Sequence, residues 1–132
     1  MKIHHIGYLV DDINASAMEF TKLGFFKTGE ITEDVSRGIF ILFLDNNGYV
    51  VELIQPINTD SPIHGLRKRY RNSPYHICYE TDNLQKEIEE IRGYTLFQPS
   101  QPAPAIAGCP NVAFLMSQAI GIIELVEIQK EK

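Results

Sequence analysis

The chain of 132 residues has few cysteines, no excess of basic residues and no long apolar run. Its two cysteines, Cys78 and Cys109, are too few for a disulfide framework. The formal net charge of −5 argues against a nucleic-acid partner, which would usually require a basic excess. No segment approaches the roughly 20 apolar residues that span a bilayer, and the N-terminus lacks a signal-peptide pattern. We therefore expect a cytoplasmic protein with no membrane partner.

The most informative feature of the sequence is an internal repeat. His5-Ile6-Gly7-Tyr8 returns as His76-Ile77-Cys78-Tyr79, at an offset of 71 (76 − 5). Val51-Glu52-Leu53 returns as Ile123-Glu124-Leu125, at an offset of 72 (124 − 52). Each half of the chain therefore contains one histidine and one glutamate at nearly equal separation, which indicates a duplicated module.

Hydrophobic periodicity and turn residues predict the order β-α-β-β-β in each half. We expect a single domain over 1–132, with module one at about 1–56, a connecting helix within about 57–73 and module two at about 74–132.

Local signals place the elements more closely. Asp12 is suited to cap the first helix, and Asn47-Gly48 to form a tight hairpin turn. The second module's helix is expected from Asp82 to Arg92, and the connecting helix from Asp60 to Tyr70. The Pro- and Ala-rich segment 99–110 is expected to be an irregular loop.

The repeated histidines and glutamates are candidate metal ligands. A lone histidine or glutamate in a strand is usually a structural residue, but Glu52 and Glu124 each lie within an apolar strand. A buried carboxylate is costly unless a metal ion or a cationic group compensates its charge. Two imidazoles and two carboxylates suit one divalent ion such as Ni, Co, Zn or Mn. The predicted ligands are His5, Glu52, His76 and Glu124.

A basic run at residues 67–71 is the other candidate site. Arg67 and Arg71 would share one face of the connecting helix. Their simplest interpretation is a solvated surface, and the alternative is a substrate-binding clamp for an anionic group such as a phosphate.

The repeated His-Ile-x-Tyr and Glu-Leu strands resemble those of the vicinal oxygen chelate superfamily, over nearly the whole chain from His5 to Glu127. The resemblance implies an α+β fold, in which two βαβββ modules form a curved eight-stranded mixed sheet around a metal-binding cavity. It also implies that the four predicted ligands bind the ion and that the protein forms a homodimer. Glu124, and also Glu52, would transfer protons as the catalytic carboxylates.

Two activities of the superfamily fit these residues. The His/Glu/His/Glu set is similar to that of glyoxalase I, a lyase acting on a thiohemiacetal of glutathione, and this is the leading expectation. The segment from Asp60 to Glu80 looks more like methylmalonyl-CoA epimerase, an isomerase acting on a thioester. Leu9 stands where glyoxalase I usually has an arginine. A third alternative is a non-catalytic small-molecule binding protein of the same fold.

Overall fold

A computed structural model describes residues 1–129 of the chain, which form two compact units. One unit consists of His5–Tyr75. The other combines Met1–His4 with the chain from His76 onward. The division into units follows the sequence repeat closely, because each unit contains one copy of the repeated strands.

The unit His5–Tyr75 contains a sheet with one helix packed on it. Its strands are β1 (Ile3–Leu9, which begins in the other unit), β2 (Phe26–Lys27), β3 (Thr32–Asp34), β4 (Ile39–Asn46) and β5 (Tyr49–Pro56). The order is β2-β4-β5-β1, and β3 also pairs with β4. Strands β1 and β5 are parallel, whereas the other pairs are antiparallel.

The second unit repeats this arrangement. Its strands are β6 (Ser73–Thr81, whose first residues belong to the other unit), β7 (Thr95–Pro102), β8 (Asn111–Ser117) and β9 (Gly121–Glu127). The order is β6-β9-β8-β7, with β6 and β9 parallel and the other pairs antiparallel.

The α+β class and the two βαβββ modules are confirmed, but the described residues contain nine strands rather than eight. The additional strand is β3, which lies in the charged stretch between Glu30 and Arg37. Its residues do not alternate between apolar and polar types, so no local pattern predicted a strand there. The backbone nevertheless pairs with the buried strand β4. The single-domain organisation stays a prediction.

Each unit has one principal helix, and an Asp or Asn side chain caps each of the two. Helix α1 (Ile13–Lys22) begins after Asp12, whose carboxylate accepts hydrogen bonds from the Asn14 and Ala15 amides. The helix in the second unit is shorter than predicted. It covers only Leu84–Glu90, because Asn83 rather than Asp82 caps it and Ile91 is already extended.

The connecting helix predicted from Asp60 to Tyr70 ends at Tyr70 as expected but begins only at His64. A 3₁₀ turn covers His64–Leu66, and the α-helix α2 covers only Arg67–Tyr70. Gly65 has a low helix propensity, and no side chain caps either segment. The helix Leu84–Glu90 is the third α-helix of the described residues, α3.

The turn and loop predictions have mixed outcomes. Asn47 and Gly48 form the predicted hairpin, with φ angles of 53° and 89° that a type I′ turn requires. The irregular loop begins only after Pro102, because β7 continues through the first residues of the predicted loop. Proline is tolerated there because β7 is paired on one side only within its unit.

Each sheet buries one face against its own helix. In the first unit, Ile13 and Ala17 of α1 pack on Leu42, Leu44 and Leu53. In the second, Leu84 packs with apolar residues of β8 and β9, namely Ala113, Leu115, Ile123 and Leu125. Because strand residues alternate between faces, the repeated histidines and glutamates lie on the opposite face in each unit. Within residues 1–129, every helix is too short or too polar to traverse a bilayer.

Candidate metal centre

The first predicted His–Glu pair forms within the unit His5–Tyr75. Glu52 on β5 lies opposite Gly7 on β1, and His5 is two residues before Gly7 on the same face. The His5 Nε2 atom is 3.4 Å from Glu52 Oε1. His5 is 1% exposed and Glu52 is 4% exposed, so both groups are shielded from water.

The second pair has the same construction. Glu124 on β9 lies opposite Cys78 on β6, and His76 is two residues before Cys78. The His76 Nε2 atom is 3.1 Å from Glu124 Oε1, and both residues are buried. Each unit therefore presents one imidazole nitrogen and one carboxylate oxygen at nearly the same separation.

A phenylalanine packs against each histidine, and no feature of the predicted site included these two rings. Phe43 lies opposite Glu52, and its ring meets His5 edge-on at a centroid distance of 5.4 Å. Phe114 lies opposite Glu124 and meets His76 edge-on at 5.2 Å. The two phenylalanines are 71 residues apart (114 − 43), the offset of the histidines, so the repeat contained this signal. Such packing restricts the rotation of each imidazole.

The strand that carries each glutamate is also tied to the helix of its unit. The Ile13 amide donates to Gln55 Oε1 at 3.0 Å, and the Leu84 amide donates to Glu127 Oε1 at 3.4 Å. These acceptors satisfy backbone N–H groups that a helix leaves without an intrahelical partner. Each glutamate therefore belongs to a strand whose position is fixed by the helix start.

The donor atoms fit a divalent metal ion. Two ligands bound to one ion at about 2.0–2.2 Å lie roughly 3.0–3.5 Å from each other, and both His–Glu distances fall in this range. Nitrogen and carboxylate oxygen together suit the first-row ions predicted from the sequence. His5 and Glu52 could hold an ion in one unit, and His76 and Glu124 in the other.

The predicted anion-binding arginines meet a carboxylate of their own unit. Arg67 donates from Nε to Asp11 Oδ1 at 3.0 Å and also contacts it through Nη2. Arg71 donates from Nε to Asp11 Oδ2. Hydrogen bonds from Arg71 and then Arg67 hold the pKa of Asp11 below its ordinary value of 3.8. The arginines are therefore positioned side by side, and substrate binding by them stays a prediction.

A buried carboxylate at Asp34 was also missed. Asp34 is 3% exposed and accepts hydrogen bonds from Ser36 Oγ at 2.7 Å and Arg37 Nε at 2.6 Å. Burial raises the pKa of Asp34, but the hydrogen bonds from Arg37 and Ser36 outweigh that effect and lower it overall. This group closes the turn after β3, and its charge is already compensated.

A family model described as the Glyoxalase/Bleomycin resistance protein/Dioxygenase superfamily matches residues 4–114. The chain belongs to this superfamily. It is the vicinal oxygen chelate superfamily that the sequence resembles, and its paired modules account for the two units of this chain.

Relatives of the chain include epimerases. The chain is 24% identical over 130 residues to the mitochondrial methylmalonyl-CoA epimerase of Mus musculus, covering 98% of this chain and 72% of that protein. It is 26% identical over 117 residues to the ethylmalonyl-CoA/methylmalonyl-CoA epimerase of Cereibacter sphaeroides, covering 86% and 87%. These relatives are isomerases and place the chain among the enzymes of its superfamily.

Solved structures agree on the fold. Methylmalonyl-CoA epimerase from Mycobacterium tuberculosis superposes with a TM-score of 0.81 at 18% identity, covering 97% of this chain and 88% of that one. A Streptomyces coelicolor methylmalonyl-CoA epimerase variant in complex with 2-nitronate-propionyl-CoA has a TM-score of 0.80 at 20% identity, covering 96% of each chain.

Proposed function

We propose that the protein is a metal-dependent epimerase that inverts the α-carbon of a malonyl-type CoA thioester, with methylmalonyl-CoA as its first candidate substrate. The observation that carries this proposal is the pair of buried His–Glu sets in a chain whose relatives are methylmalonyl-CoA epimerases. The relatives favour this reaction over the glyoxalase I reaction that led the sequence-based expectations.

We further propose that the two His–Glu pairs serve one ion between them. Two protein ligands are fewer than the three or four that usually fix a catalytic metal, so each pair is half of a ligand set. The repeat supports this idea because it gives both halves the same donors at the same strand positions. The full set would be His5, Glu52, His76 and Glu124. When bound, a divalent ion supplies Lewis-acid polarisation of a carbonyl oxygen, which acidifies the adjacent carbon.

The two glutamates would move the proton. Inversion at carbon requires removal of a proton from one side and its return to the other, which two carboxylates can perform. Glu52 and Glu124 are 4% and 2% exposed, and each carboxylate lies beside the histidine of its own unit. In this assignment one glutamate takes the proton from the α-carbon, and the other delivers a proton to the opposite face.

Arg67 and Arg71 would bind a phosphate group of the CoA part of the thioester. A guanidinium carries five N–H donors, and Asp11 engages two from Arg67 and one from Arg71. The side chain of Arg71 is 65% exposed, so its remaining donors can reach a phosphate in solution. The matched control is Lys68, the exposed cation next to Arg67. We expect Arg71→Ala to weaken CoA thioester binding more than Lys68→Ala does.

The test is proton exchange at the α-carbon. Purified protein supplied with Co or Ni, incubated with methylmalonyl-CoA in deuterated buffer, should incorporate deuterium at that carbon and equilibrate the two epimers. Methylglyoxal with glutathione should give no S-lactoylglutathione. Turnover of methylglyoxal without exchange of methylmalonyl-CoA would establish the lyase instead. Binding of the thioester without exchange would favour the non-catalytic binding protein.

A further inference from the structure

The edge strand β7 carries two glutamines whose side-chain amides are buried but not satisfied. The Nε2 atoms of Gln98 and Gln101 are almost inaccessible to water and have no hydrogen-bond partner among residues 1–129. A buried amide donor without a partner is costly, and native proteins seldom retain one without a reason. Two such donors in one strand suggest that a ligand supplies the acceptors.

Two β-bulges in β7 determine on which face of the sheet the side chains of Gln98 and Gln101 lie. Leu96 pairs with Leu115, but Gln98 pairs with Phe114, so one extra residue is inserted between the two pairs. In continuous register Gln98 would instead lie opposite Ala113, which belongs to the core beneath α3. The first bulge therefore moves Gln98 to the opposite face of the sheet.

The second bulge does the same for Gln101. Residues three apart in a regular strand point to opposite faces of the sheet. Between the Gln98–Phe114 and Gln101–Val112 pairs, however, β7 contains one residue more than β8. Val112 and Phe114 share a face, so both glutamines lie on that face. One bulge places each glutamine on this face, and together the two bulges bring both amide donors to the same side of the sheet.

This face also carries the His76–Glu124 pair. Gln98, Phe114, Glu124 and Cys78 lie directly opposite one another across the four strands of the unit. Neighbouring strands are about 4.8 Å apart, so the backbones at Gln98 and Glu124 are separated by roughly 10 Å. An acyl group held beside Glu124 would be within reach of a glutamine side chain from β7.

We propose that Gln98 and Gln101 bind the free carboxylate of the acyl group and so determine specificity for malonyl-type thioesters. This inference rests on the proposed function. A carboxylate offers two adjacent acceptor oxygens, which match two donors on one face. A hydrogen bond to a charged acceptor in a water-poor site is stronger than one between neutral groups. The α-carbon lies between this carboxylate and the thioester carbonyl, so anchoring the carboxylate would position the reacting carbon.

The test compares the affinities of a thioester with a free carboxylate, malonyl-CoA, and one without it, propionyl-CoA. Calorimetry on the metal-loaded protein should show that Gln98→Leu and Gln101→Leu each weaken malonyl-CoA binding roughly tenfold, the value of one charge-assisted hydrogen bond. Propionyl-CoA binding should change less than twofold. Gln98→Glu should weaken malonyl-CoA binding further, because it places a second carboxylate beside the free carboxylate of malonyl-CoA. The control is Gln85→Leu, since Gln85 is exposed on α3 and donates a hydrogen bond to Glu89 of the same helix.

The outcomes separate the two proposals. Equal losses for both thioesters, or no loss for either, would overturn carboxylate recognition by the glutamines while leaving the epimerase intact. Wild-type protein that binds neither thioester would overturn the proposed function itself. Thermal unfolding without ligand gives an independent readout. Removing an unsatisfied buried donor should preserve or raise the melting temperature in Gln98→Leu, whereas a glutamine that only supports the fold would lower it.

Discussion

Glu124 combines two properties that rarely coincide in a structural residue. It is 2% exposed in the centre of a strand, and its carboxylate oxygen lies 3.1 Å from an imidazole nitrogen. We predict that Glu124→Gln lowers the epimerisation rate by about 10²–10⁴-fold, the usual contribution of a general base, because the amide keeps the shape but cannot accept the proton. The measurement is deuterium exchange into methylmalonyl-CoA, with circular dichroism to verify the fold.

Glu127 provides a matched control on the same strand. Its carboxylate accepts a hydrogen bond from the Leu84 amide, and Gln55 performs the corresponding role in the other unit. Glu127→Gln should therefore retain activity within about twofold, since a glutamine already serves at the equivalent position. Equal activity of the two glutamine variants would contradict a proton-transfer role for Glu124.

A substitution at Asp34 tests the stability of the unit His5–Tyr75 rather than its chemistry. We predict that Asp34→Asn lowers the free energy of unfolding by about 3 kcal/mol, because it leaves the partly buried Arg37 guanidinium without its charge partner. The measurement is urea unfolding at neutral pH.

The pH dependence follows from the lowered pKa of Asp34. The Asp34 carboxylate is protonated more readily in the unfolded chain than in the folded chain. The contribution of this carboxylate to the free energy of unfolding is therefore fully present above its ordinary pKa of 3.8. It is lost as the pH falls below 3.8 towards the folded-state pKa. The difference between wild type and Asp34→Asn should therefore shrink in acid, and a difference that stays constant down to pH 2 would show that the carboxylate charge is not its cause.

At the scale of elements, the hairpin between β4 and β5 fixes the register that places Glu52. Gly48 has a φ angle of 89°, which disfavours any side chain. Gly48→Ala should lower the free energy of unfolding by about 1 kcal/mol, measured by urea titration. Gly29→Ala is the control, because an added Cβ there has no heavy atom within 4 Å and Gly29 is outside the positive-φ glycines. Equal effects of the two substitutions would contradict a conformational role for Gly48.

The sequence predicted the repeated strands and missed one strand and two bulges that do not repeat. Strands containing His5 and His76 are apolar and recur, and Asp12 is a strong helix cap, so each could be inferred locally. Strand β3 is polar, and its pairing depends on a neighbour distant along the chain. The two bulges of β7 are likewise properties of pairing, so no local pattern indicated that Gln98 and Gln101 share a face with Glu124.

At the scale of the whole molecule, duplication explains why the candidate site could be found from sequence. Two copies of one module place their histidine and glutamate at equal strand positions, and the structure shows that each pair forms within its own unit. The supporting phenylalanines follow the same repeat. What the repeat could not indicate is the substrate, because substrate contacts depend on residues that differ between the copies, such as the glutamines of β7.

Metal stoichiometry distinguishes one ion bound by both half-sets of ligands from two ions bound separately. Elemental analysis should be performed on wild type, His5→Ala and His76→Ala after incubation with Ni, Co, Zn or Mn and removal of free metal. We predict one divalent ion per chain in the wild type and almost none in either variant, because each histidine contributes to the same site. Two ions per chain, with each variant losing only one, would show two independent sites, and a wild type that binds none of these metals would contradict the metal centre altogether.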